Sequence, residues 1–96
     1  MKVRFTRSAQ RDLNQIYAFI SQDSPTIASR FVARIIERAR TLADHPFEGI
    51  QTDEPDTRVL VAPRLRYFIF YTIASDEIHI THIRHMSRRR PKAWNR

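Results

Sequence analysis

The sequence predicts an α+β domain of order β-α-α-β-β-β, with an N-terminal helical hairpin packed on one face of an antiparallel sheet. Three observations carry that prediction. Apolar residues recur at helical spacing from Ala9 to Ala43, broken once by the "DSP" of residues 23–25. Three runs of branched and aromatic residues, "RVLVAP", "RYFIFYTIA" and "EIHITHIRH", then follow one another with short turn-forming segments between them. Finally, a chain of 96 residues closes one modest core and has no material for a second.

The first element is "KVRFT", in which Val3 and Phe5 alternate with polar neighbours, the period of a half-buried strand. From Ser8, read as an N-cap, residues Ala9, Leu13, Ile16, Tyr17 and Ile20 fall on one helical stripe. Pro25 disfavours a helical backbone at Ser24, so the first helix stops there, and Ser24–Pro25 supply the N-cap and first position of the second. Ile27, Phe31, Ile35, Ala39 and Leu42 form the second stripe, which places Phe31 and Ile35 between helices and sheet. Pro46 and Gly49 in "HPFEG" mark the exit from the hairpin, and "IQTDEPDT" reads as a polar, acidic loop.

In the meander that follows, "SDE" is a hairpin turn, and the run Tyr67 to Ile73 is apolar on both parities. One of its faces covers the helices, and the other must be hidden or used. The N-terminal strand joins this sheet. Ile78 and Ile80 share one parity whereas Ile83 takes the other, which predicts a bulge or strand end near His82. Pro91 argues against further strand, so residues 1–90 read as a single domain and 91–96 as a basic tail.

An apolar fraction of 42% and a single Gly point to packed regular elements, not to a disordered or repeat chain. The absence of Cys excludes a disulfide framework and thiolate chemistry. "MKVRFTRSAQ" lacks a signal-peptide core, and no apolar run approaches the roughly 20 residues that span a bilayer. The chain is therefore read as cytoplasmic, with no membrane partner. Basic and acidic side chains balance over residues 1–57, so the whole net charge of +7 resides in 58–96. Such a pole attracts a polyanion or an acidic protein.

The succession "SAQRDLNQIYAFISQDSPTIASRFVARIIERARTLADHPFEG", Arg58, "RYFIFYTI" and "IHITHIRH" resembles the RelE/ParE-type toxins of bacterial type II toxin–antitoxin systems. The resemblance runs from Val3 to about Arg90 and implies a cognate antitoxin as partner and a part in plasmid stabilisation. Its RelE-like members cleave messenger RNA in the ribosome; its ParE-like members are not nucleases and poison DNA gyrase. The long paired helices with "DSPTIASRF" at their junction look more like the ParE branch. Where the nuclease pattern often has a phosphate-binding Arg, three positions before the strand tyrosine, here Tyr71, this chain has Phe68.

The resemblance thus implies a non-catalytic gyrase inhibitor, with Arg84, His85, Arg88, Arg89 and Arg90 as the target contact. The alternative is a ribosome-dependent mRNA endoribonuclease. In that reading Glu54 is a base, Arg66 and Arg84 supply positive charge at the phosphate, and His85 or His82 moves a proton near neutral pH. A doubly apolar strand beside a basic region also calls for a partner that is apolar in the middle and acidic around it. The antitoxin is therefore expected to bury Phe68 or Phe70 and to meet Arg84 and Arg88. His79, His82 and His85 are spaced by three, so in a regular strand they alternate faces, and neither a metal site nor a cofactor is expected. A stand-alone nucleic-acid-binding module would show a helix-turn-helix or stacking signature that this chain lacks.

Overall fold

A computed structural model describes residues 1–87, which form β1 (Lys2–Phe5), α1 (Arg7–Ser21), α2 (Pro25–Arg40), a 3-10 turn (Thr41–Ala43), β2 (Ile50–Gln51), β3 (Thr57–Ala62), β4 (Tyr67–Ala74) and β5 (Glu77–His85). Arg88, Arg89, Arg90, Trp94 and the tail 91–96 lie outside the described residues. The helical hairpin forms where the two stripes place it. Ser24 caps α2, its hydroxyl accepting the Ile27 N–H at 3.2 Å with Pro25 at the first position. The cap of α1 is Thr6, not Ser8: the Thr6 hydroxyl accepts the Ala9 N–H at 3.2 Å, so the helix starts directly after the strand.

The sheet has the order β1-β5-β4-β3-β2 and is mixed. The meander β3-β4-β5 is antiparallel as expected, but β1 lies parallel to β5, with Val3 opposite Ile78 and Phe5 opposite Ile80. Two helices separate β1 from the meander, and a crossover of that length returns the chain in either direction. The stretch read as a loop also contributes the two-residue edge strand β2, where Ile50 faces Val59. With one Gly in the chain, its turns use other residues in the left-handed region: Asp56 (φ 61°), Arg66 (φ 63°) and Ser75 (φ 58°). Of these Asp visits that region most readily, and each non-Gly residue costs about 1–2 kcal/mol there.

The predicted irregularity in β5 is present. Phe70 pairs with His82 and Tyr71 with Ile80, so Thr81 is the extra residue. The bulge brings Ile78, Ile80 and Ile83 onto the helix-covered face together with Ile69 and Tyr71, all at most 3% exposed. It also changes the expected placement of the histidines. His79 and His82 share the opposite face, opposite Thr72 and Phe70, while His85 pairs with Tyr67 on the helix side. No group of three metal-ligating side chains occurs among the described residues.

Ile35, Ala39 and Leu42 are fully buried against this face. Phe31 packs on the core but is only half-buried, its ring edge-on to Tyr67 at 5.8 Å, so Ile35 and not Phe31 fills the middle of the layer. The exit loop is fixed from the sheet. Tyr71, 0% exposed, accepts the Gly49 N–H at 2.9 Å and donates its hydroxyl proton to the Pro46 carbonyl at 2.8 Å. Arg58, opposite Tyr71 on β3, donates to the Gly49 carbonyl at 2.6 Å and lies over the Phe47 ring at 5.1 Å.

Candidate functional site

The features of the site converge at the C-terminal end of β5. β1 supports that strand only as far as Ile80, where Thr6 closes the pairing by donating its N–H to the Ile80 carbonyl at 3.0 Å. Beyond the bulge, residues 82–85 keep β4 on one side, and on the other they meet α1. Asp12, on the buried stripe of α1, accepts the Ile83 N–H at 2.9 Å through Oδ2. Nδ1 of His82 is 3.6 Å from the same oxygen, and Nη1 of Arg84 is 3.8 Å from Oδ1. Arg84 Nη2 and His82 Nδ1 are themselves 3.3 Å apart.

On the other side of the strand, the β3–β4 turn brings Arg66 to the same end, its carbonyl accepting the Met86 N–H at 2.9 Å. Nδ1 of His85 accepts the Ser87 N–H at 3.0 Å and lies 2.7 Å from the Ser87 hydroxyl. The His85 ring stands edge-on to Tyr67 at 5.1 Å. Between α1 and this segment runs a groove of about 420 Å³, with Ile16, Phe19, Tyr67 and Ile83 on its apolar walls and Asp12, Arg84 and His85 at its polar rim. Phe19 is 75% exposed beside it.

The structure brings Arg66, Arg84 and His85 to one end of the sheet but leaves Glu54 elsewhere. Glu54 sits in the β2–β3 turn, where its carbonyl accepts the Thr57 N–H at 3.2 Å. Thr57 pairs with Thr72, five residues along β4 from the Tyr67–His85 pair. At about 3.4 Å per residue that is roughly 17 Å, too far for one phosphate to be reached by both groups. The family resemblance placed Glu54 in the nuclease set by its position in "DEP", and sequence position alone does not tell where a loop residue lies until the hairpin register is known.

On the face turned away from the helices, Phe68 pairs with Arg84 and Phe70 with His82, so the residues expected to meet an antitoxin share one surface. Phe68 is nonetheless only 3% exposed in the chain itself; Phe70, edge-on to it at 6.4 Å, is the half-exposed member of the pair. Arg88, Arg89 and Arg90, assigned to the same contacts, fall outside the described residues. Asp12 was missed by sequence reasoning. Its signal was a carboxylate three residues after Ala9 and four before Ile16, inside an otherwise apolar stripe.

Residues 3–90 match the family model described as ParE toxin of type II toxin-antitoxin system, parDE. The chain is 35% identical to Y4kP of Sinorhizobium fredii over 91 residues, covering 95% of this chain and 94% of that one. It is 34% identical to Toxin RelE2 of Caulobacter vibrioides over 87 residues, with 91% and 97% covered. A solved chain of the chromosomal ParDE TA system from P. aeruginosa superposes with a TM-score of 0.78 at 26% identity, over 88% of this chain and 95% of that chain. In order of elements, in sequence along nearly its whole length and in three-dimensional fold, this chain belongs to the ParE toxin family of type II toxin–antitoxin systems.

Proposed function

We propose that this toxin acts without catalysing a reaction, by inhibiting DNA gyrase in the cytoplasm, and that a cognate antitoxin neutralises it. The observation that supports this reading best is the composition of the β5 end. It gathers cationic and imidazole groups, Arg66, Arg84 and His85, while Glu54 stands about 17 Å away along β4 by strand spacing. The nearby carboxylate, Asp12, is buried and engaged by the Ile83 N–H, so it is a poor general base. What remains is a basic surface with an apolar groove beside it, the makings of a protein contact. Arg84 and His85, with Arg88 to Arg90 following in sequence, form that contact, and domain and tail divide at residues 90 and 91. The antitoxin covers the opposite face, burying Phe70 beside Phe68 and meeting Arg84 and Arg88 with acidic side chains.

The second reading, ribosome-dependent mRNA cleavage, draws on the same cluster, because Arg66, Arg84 and His85 do share one end of the sheet. Two assays run side by side decide. The purified chain should inhibit supercoiling by gyrase and leave messenger RNA intact on ribosomes. Ribosome-dependent cuts that vanish in His85→Ala, with supercoiling unaffected, would make the protein an endoribonuclease. Reversing charge with Arg88→Glu and Arg89→Glu should slow antitoxin association and flatten its salt dependence; an unchanged rate removes the electrostatic part of the antitoxin contact.

A further inference from the structure

Resting on the reading that the β5 end carries the target contact, we infer that Asp12 is a positioning residue: its buried carboxylate aims the Arg84 guanidinium at the target. Two needs meet at this side chain. The first is backbone satisfaction. Past Ile80 the outer edge of β5 has lost β1, and the outward N–H of Ile83 requires an acceptor, which Asp12 Oδ2 supplies at 2.9 Å. A neutral asparagine would meet that need equally well.

The second need explains the charge. Asp12, 9% exposed, is the only buried charged side chain among the described residues, and a carboxylate is unfavourable in such a place without compensating cations. Its compensation comes from Arg84, whose Nη1 stands 3.8 Å from Oδ1, while Nδ1 of His82 lies 3.6 Å from Oδ2. These separations exceed those of direct hydrogen bonds. The field of the carboxylate therefore orients the guanidinium, while the N–H groups of Arg84 that face neither Asp12 nor His82 stay available to a partner. The Arg84 side chain is accordingly still 40% exposed.

The experiment uses the full chain and the variants Asp12→Asn, Arg84→Ala and their combination. Asp12→Asn keeps an oxygen for the Ile83 N–H, so hydrogen-exchange protection of that amide should persist and certify the fold. NMR of the free protein should show rotation about the Arg84 Nε–Cζ bond becoming severalfold faster in Asp12→Asn. Unchanged rotation overturns the positioning role whatever the target is. In the gyrase assay each single variant should require about tenfold more protein for half inhibition, with the double variant no worse than Arg84→Ala alone. Losses that multiply in the double variant, or an Asp12→Asn protein as potent as the parent, also overturn it. Full inhibition by Arg84→Ala would instead remove Arg84 from the contact itself, a failure of the underlying reading that the NMR measurement keeps separate.

Discussion

Replacing Gly49 by Ala tests the exit loop most sharply, because the backbone there needs space and not an unusual conformation. No glycine in the described residues has a positive φ. A methyl carbon on Gly49 would instead stand 2.5 Å from Tyr71 Oη, 2.6 Å from Cε1 and 2.9 Å from Cζ. Tyr71 cannot yield easily, being fully buried in the core and paired across the sheet with Arg58 and Ile80. The loop must move, and with it go the Gly49 N–H and Pro46 carbonyl bonds to the tyrosine hydroxyl. Losing two neutral hydrogen bonds of about 1 kcal/mol each, with part of the cost of leaving their partners buried, gives about 2–4 kcal/mol. For a domain of this size that lowers Tm by roughly 10–30 °C. Urea titration followed by far-UV circular dichroism measures it, with an unchanged slope expected if only the native state is affected. Adding Tyr71→Phe should recover little, since Cε1 and Cζ remain in the way. A Gly49→Ala protein within about 0.5 kcal/mol of the parent would refute the claim that Tyr71 fixes this loop.

Ile35→Ala should cost about 2–5 kcal/mol, whereas Phe31→Ala, at a half-buried position, should cost less; the reverse order in urea titration would mean that α2 is rotated on the sheet. Burial, partly offset by the Gly49 N–H and Arg58, raises the Tyr71 phenol above its ordinary value of 10.0. The native state therefore holds this proton more tightly than the unfolded chain does, so the contribution is complete below about pH 10 and is lost as pH rises further. Tyr71→Phe should accordingly flatten the alkaline limb of stability against pH, and an identical limb in both proteins would contradict the shift.

The sequence by itself determined the elements that depend on neighbours along the chain. The stripe through Leu13 and Ile16, the stop and restart at Ser24–Pro25 and the turn at Ser75–Asp76 each follow from local spacing or backbone preference. Even an irregularity near His82 was legible from the parity change between Ile80 and Ile83, and the structure resolves the choice between bulge and strand end as a bulge at Thr81. Tertiary structure decided what such patterns leave open. Alternation in "KVRFT" states which side chains face inward, but not which strand lies alongside or in which direction, so the parallel pairing with β5 came only from the return path of the helices. That pairing ends at Ile80, and its end creates the exposed strand edge to which Asp12 binds across 71 positions of sequence. Register did the same for the candidate site: it set Arg66, Arg84 and His85 together and Glu54 apart. Periodicity reports the burial of a residue's own face. The company it keeps is fixed by contacts between distant segments, whose geometry is settled only when the whole core closes.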